Sequence, residues 1–365
     1  PRSRARVRPM PTDRSFARTV ARAVLLATLA FSLVAASAAD AGPPAPPPPK
    51  QALAAATWIS DRCIIPGGAI TVRPGGTFVS GYFGNLTALG LLATGIYPEL
   101  VRSWMDWYIA HAHDSVSGLD GVPDDATLYP NGIVASRTRP DSTDAYGATL
   151  LSLARAAYDG GVPSLHEFLG EHRADLVRIA TSVLATQQSS GLTWSRPQHQ
   201  IAYAFDNAQV YAGLLDGAYL FREAFGDDAF AAQLDGAAAR VRSGMFSVLW
   251  DPASQSFRPY VGVHEAARYP AADFTKVYPD AIAEVMMVVY GVVPANSTLA
   301  TSLVRRAAPA LLADGGLSAL EDRAALRIAL RAIGAPQPPL ADFAPPSLCV
   351  DAGWYLVDAT ERWQP

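Results

Sequence analysis

The chain has 365 residues, half of them hydrophobic and 17% charged, with a formal net charge of -4. That is apolar material enough for one large core or two ordinary ones, and it excludes a nucleic-acid binder that works through a basic surface. Zinc-ligand spacings, the phosphate-binding glycine loop, the dinucleotide glycine fingerprint and the GxSxG elbow are all missing, so neither metal nor cofactor is expected.

Residues 1–41 read as an export signal. Arg2, Arg4, Arg6, Arg8, Arg14, Arg18 and Arg22 form a basic region, 24–34 a short apolar run, and Ala36-Ser37-Ala38 a small-x-small cleavage pattern. The run is short and alanine-rich for a membrane span; an uncleaved anchor is the competing reading. A secreted or periplasmic protein without stable membrane insertion is expected. Residues 42–50 form a Pro-rich linker, stiff and extended, and 51–365 a single domain.

Residues 51–79 read as an opening loop with short extended pieces, turned at Pro66-Gly67-Gly68 and Pro74-Gly75-Gly76. Helical periodicity follows. It pairs 83–93 with 99–113, 142–158 with 164–188, 204–225 with 227–249, and 280–290 with 297–312, then continues through 315–333 and 347–362. Short turns within the pairs make them antiparallel hairpins. The expected fold is all-α, an (α/α)6-type toroid of helical hairpins, with an open solenoid as the alternative. Long loops at 114–140 and 251–276 would decorate one mouth of the ring, and loops of that length are usually functional or disordered. A ring would also bring Cys63 and Cys349 together; a disulfide and two buried thiols are both open.

Several helices open on an acidic residue with aromatic company. Asp141 and Asp144 precede Tyr146; Asp206 sits among Tyr203, Phe205, Asn207 and Tyr211; Asp280 follows Tyr278; Asp351 precedes Trp354. Asp at a helix start also caps free N–H groups and complements the helix dipole, so each one alone reads equally as a cap. Together, at one end of a ring, they would form a mouth of carboxylates and rings. Glycoside cleavage needs one carboxyl held protonated and a second that activates water or attacks. Asp144 and Asp206 are the favoured pair, with Asp141 and Asp280 as supporting members. Glu284, one turn after Asp280, and Glu265, beside His264, are weaker candidates. Trp194, Tyr146, Asn207, Tyr203 and Tyr211 are the candidate substrate-binding residues, Trp194 being the favoured stacking ring because Gly191 and Pro197 place it in a loop.

Over 81–362 the chain resembles the six-hairpin glycosidase superfamily. The resemblance is carried by Trp104-Met105-Asp106-Trp107-Tyr108, Asp141-Ser142-Thr143-Asp144-Ala145-Tyr146, Asp206-Asn207-Ala208-Gln209-Val210-Tyr211 and Tyr278-Pro279-Asp280-Ala281. It implies a cleft at the N-terminal ends of the inner helices. Members of the superfamily include inverting endoglucanases, glucoamylases and unsaturated glucuronyl hydrolases. The expected function is an exported glycoside hydrolase acting on a poly- or oligosaccharide, inverting because its carboxylates come from different helices. A non-catalytic glycan-binding or polysaccharide-export accessory protein is the alternative. A polysaccharide lyase built on Arg196, His199 and Tyr203 is a further one.

Overall fold

A computed structural model describes residues 49–113, 119–262, 269–313 and 319–362, all within one unit, Pro48–Pro365. The expected export signal, residues 42–48 of the linker, His264 and Glu265 lie outside the described residues.

Twelve α-helices run in chain order among the described residues: α1 (Lys50–Arg62), α2 (Gly81–Thr94), α3 (Pro98–His111), α4 (Thr143–Asp159), α5 (Pro163–Glu171), α6 (Arg173–Ala185), α7 (Ala204–Glu223), α8 (Asp228–Gly244), α9 (Ile282–Val289), α10 (Thr298–Ala313), α11 (Ala319–Ala332) and α12 (Cys349–Thr360). Six form an inner ring. Each of α2, α4, α7, α9, α11 and α12 packs on the next, and α12 returns to α2. The fold is an all-α toroid.

Most inner helices are apolar on nearly every side because they are buried on nearly every side; α11, with Arg323, Arg327 and Arg331, keeps a charged face. All eight residues of α9 are buried, and eleven of the twelve in α12. The outer helices carry an apolar stripe on one face only. In α3 that stripe is Val101, Trp104, Met105, Tyr108 and Ile109. Small residues let inner helices come close. A Cβ on Gly90 of α2 would lie 2.3 Å from the Gly353 carbonyl of α12, and one on Gly213 of α7 would lie 2.3 Å from the Ala148 carbonyl of α4. Any side chain there would push the ring apart.

Outside the ring, α3, α6, α8 and α10 back the helices that precede or follow them, and α1 packs on both α12 and α2. Residues 51–79 therefore do not form only an opening loop: their first part is the helix that covers the ring's closure. Lys50, expected in the linker, is its first residue. The covering is covalent as well, since Cys63 and Cys349 form a disulfide with Cα atoms 6.0 Å apart. The helix expected over 164–188 is two helices that bend at His172 (φ -99°, ψ 19°). Between α11 and α12 the chain has no outer helix and runs extended and proline-rich.

The long loops are organised into small antiparallel sheets. β1 (Phe78–Val79), β2 (Asp125–Leu128) and β3 (Val134–Thr138) form one; β4 (Ile201–Tyr203) pairs with β7 (Tyr260–Gly262); β5 (Trp250–Asp251) pairs with β6 (Ser256–Phe257). The pairing of Val79 with Ala126 sets Asp125 beside the start of α2.

Candidate active site

The leading ends of five inner helices enclose a cavity of about 520 Å³, within the usual range for small-molecule sites. Tyr82 and Phe83 come from α2, Ser142 and Tyr146 from the start of α4, Phe205 and Asp206 from α7, Ile282 and Ala283 from α9, Glu321 and Asp322 from α11. Loops and strands add Phe78, Asp125, Asp141, Tyr203, Tyr278 and Pro279. The sixth inner start does not contribute: the Cys349-Val350-Asp351 turn of α12 is buried, tied down by the disulfide and by the Cys349 N–H donating to the Val72 carbonyl.

Asp206 and Asp144 meet, but at different depths. Asp206 lines the cavity, while Asp144 is fully buried behind it. The Ser142 hydroxyl lies between them, 2.6 Å from Asp206 Oδ2 and 2.7 Å from Asp144 Oδ1. A hydroxyl has one proton and cannot donate to both. Two contacts this short need a second proton, held on one of the carboxyls. Asp144 has other donors, Thr193 Oγ1 at 2.7 Å and the Ala145 N–H at 2.8 Å. Asp206 has none beyond Ser142 among its described contacts. Burial, and then the Asp144 charge, hold the Asp206 carboxyl well above the usual range. Burial raises Asp144 too, but the hydrogen bonds it accepts act against that, which favours Asp206, the member that faces the cavity, as the holder of the proton.

Two more carboxyl clusters line the walls. Asp125 accepts from the Tyr146 hydroxyl at 2.9 Å, and Tyr146 and Ser80 oxygens lie 2.8 Å apart. Burial pushes Asp125 up to about 7. Glu321 is held well above the usual range by burial, then by the charges of Asp322 and Asp351. At the cavity floor, Gln209 Nε2 donates to Tyr82 Oη (2.8 Å) and to Tyr290 Oη (3.1 Å), tying α7 to α2 and to the end of α9.

Of the residues singled out in the sequence, Asp206, Asp141, Tyr146 and Tyr203 line the cavity. Asp280 does not: it is fully buried and accepts from the Asp273 N–H (2.8 Å) and the Tyr269 hydroxyl (3.3 Å), holding its own entry loop. Asn207 is a buried clamp. Its Oδ1 accepts from the Thr193 N–H and its Nδ2 donates to the Thr193 and Tyr203 carbonyls, so no amide atom is turned to the cavity. Trp194 and Tyr211 pack against the hydrophobic core. The exposed rings that line the cavity are instead Tyr278, with 73% of its surface accessible, and Phe78, with 41%. Glu284 is buried and accepts from the Phe257 N–H at 2.7 Å, anchoring β6. Arg196 donates to the Pro140 carbonyl, and neither it nor His199 lines the cavity.

Asp125, Glu321 and Asp322 were missed. Asp125 was hidden in what reads as an irregular loop. The Glu321–Asp322 pair follows the same rule as Asp206, an acidic first turn of an inner helix, but has no flanking aromatic residue to mark it. Among the described residues no group of three or more His, Cys, Asp or Glu could hold a metal ion, and no helix is long and apolar enough to cross a membrane.

By sequence, no protein-family profile and no curated protein matches the chain. Solved structures do match. A glycosidase variant in complex with glucose superimposes with a TM-score of 0.63 at 17% identity, covering 86% of this chain and 96% of that one. The chain shares its all-α toroid fold with these solved glycosidases. A rhamnosidase from Klebsiella oxytoca with rhamnose bound gives 0.55 at 13% identity, over 87% of this chain and 65% of that one. An uncharacterised conserved protein from Thermus thermophilus gives 0.59 at 10% identity, over 86% and 100%. These identities establish a shared toroid; residue roles rest on the geometry above.

Proposed function

We propose that the chain is an exported glycoside hydrolase with Asp206 as its proton donor. The observation that carries this reading is the Asp206–Ser142–Asp144 assembly, in which a carboxyl facing a ring-lined cavity is kept protonated by burial and by a charged neighbour. The glycosidases of the same fold, one bound to glucose and one to rhamnose, support a carbohydrate as the ligand.

The proton on Asp206 passes to the glycosidic oxygen as the bond to the anomeric carbon breaks. The Ser142 hydroxyl then turns toward the Asp206 carboxylate, so it stabilises the charge that appears there during the reaction. A water attacks the anomeric carbon and gives its proton to a second carboxylate. The Glu321–Asp322 pair supplies that group from another helix. Glu321 is held up by burial and by the Asp322 charge, which assigns the proton-accepting role to Asp322. With acid and base on different helices, a water placed between them would attack the face opposite the leaving group, which is the inverting course. Exposed Tyr278 and half-buried Tyr203 offer ring faces to the sugar.

The test is an oligosaccharide panel assayed for new reducing ends, with the anomer of the first product read by NMR. Cleavage that Asp206→Asn abolishes and Asp322→Asn sharply slows supports the assignment. Cleavage unchanged in Asp206→Asn overturns it. A product that keeps the substrate's anomeric configuration overturns inversion alone.

A further inference from the structure

The cavity wall is unbalanced in its hydrogen-bonding groups. Five carboxyls line it, Asp125, Asp141, Asp206, Glu321 and Asp322, and its described lining holds no Lys, Arg, His, Asn, Gln or Trp. No side-chain N–H is offered to a ligand. The remaining polar side chains are Ser and Tyr hydroxyls, and two are committed: Tyr146 donates to Asp125 and Ser142 bridges two carboxyls, while Tyr82 accepts from Gln209 and keeps its own proton. Behind Glu321, fully buried Asp351 has both carboxyl oxygens without a hydrogen-bond partner among the described residues, and its charge acts on Glu321.

A ligand suited to this wall brings donors and positive charge. A uronate or sulfated sugar brings the wrong sign. An N-acetyl group removes the positive charge and adds a carbonyl, another acceptor on a wall already rich in them. A neutral sugar hydroxyl can donate to a carboxylate but brings no charge to offset five carboxyls. A protonated amine brings three donors and no acceptor. Its charge is also drawn to aromatic faces, which the cavity supplies in Tyr82, Tyr203 and Tyr278.

We propose that the substrate is a glycan of amino sugars whose amines are free and protonated, not N-acetylated, with the ammonium groups held by the carboxylates of the cavity wall. The proposal rests on the hydrolase reading of the site and narrows it to one substrate class. An arriving cation favours the ionised form of nearby carboxyls. Asp125 and Glu321, both raised by burial, then shed protons as the ligand binds, so binding is coupled to proton release.

The experiment is calorimetric titration of the full chain carrying Asp206→Asn, which blocks turnover. The ligands are glucosamine and galactosamine oligosaccharides, their N-acetylated forms, and neutral and uronate oligosaccharides of equal length. The amino oligosaccharides are expected to bind at least about tenfold more tightly than their N-acetylated forms, the equivalent of ~1.4 kcal/mol. Repeating the titration in buffers of different ionisation enthalpy is expected to show proton release for the amino ligands alone. Equal or weaker binding of the amino forms, uronate binding, or no binding of any ligand overturns the proposal. The unsubstituted chain separates the two claims. Binding of amino oligosaccharides without cleavage keeps the ligand class and removes hydrolysis. Cleavage of neutral glycans with no preference for amines does the reverse.

Discussion

Two inner-helix starts look alike in sequence and end up with opposite tasks. Tyr203-Ala204-Phe205-Asp206 opens α7, and Tyr278-Pro279-Asp280 opens α9. In α7 the backbone is helical from Ala204, Tyr203 is the extended residue before it, and Asp206 sits in the first turn and lines the cavity. In α9 the chain enters through a wide π-turn, Val277–Ala281, with Tyr278 outside helical geometry (φ -108°, ψ 136°). That turn carries Asp280 toward the loop before it, where Asp273 and Tyr269 donate to it, and leaves the Tyr278 ring at the mouth. One start presents its acid, the other its aromatic ring. An acidic first turn is thus an insufficient mark of this site, because the backbone just ahead of it decides which way the carboxyl points.

Substitutions can break or sharpen that contrast. The largest effect is expected from Asp206→Asn, which removes the proton donor and should slow glycoside cleavage by about 10²–10⁴. Asp280→Asn in the same assay should stay within a few-fold of the parent; equal losses in the two would erase the distinction. Next, Asp280→Ala should lower unfolding stability by about 1.5–3 kcal/mol in a denaturant titration, since it removes a buried acceptor of two hydrogen bonds. Asp206→Ala should not show a loss of that kind, because its carboxyl is held up by burial rather than held down by donors. Third, Tyr278→Ala should raise KM by about 2–10-fold with kcat little changed, the scale of one aromatic contact. A fall in kcat with KM constant would place the ring in the chemistry and not in binding.

The smallest effect concerns pH. A general acid must be protonated, so activity fails as pH rises through its pKa. The Asp144 charge raises the Asp206 pKa. Asp144→Asn removes that charge, the Asp206 pKa falls, and the alkaline limb of the kcat/KM profile should move to lower pH. An unmoved limb would mean that the limb belongs to another group.

Much of the architecture was open to pattern reading, and the particular residues show why. Long apolar helical stretches marked all six inner helices, five of them because burial makes them apolar around most of their circumference and α11 by its one apolar face. Helix α1 was hidden by its position after a proline run, though its alanine-rich stretch is a good helix former. Asp206, Asp141, Tyr146 and Tyr203 could be singled out by their company; Trp194 was singled out by the same logic and packs on the core instead. Local sequence shows that a ring is outside a helix, but not whether a neighbouring element covers it.

The chain alone specified the helical hairpins and several of their acidic leading turns, since periodicity and capping chemistry act over a few residues. Tertiary packing decided the rest. Closing the ring set Glu321 and Asp322 on the wall of the cavity that Asp206 also lines, pairing with β1 drew Asp125 out of a loop, and the π-turn swung Asp280 away. The first two outcomes depend on contacts between residues tens to hundreds of positions apart, whereas Asp280 is held by near neighbours in the chain; burial, which raises Asp125, Asp206 and Glu321, exists only once the fold has formed.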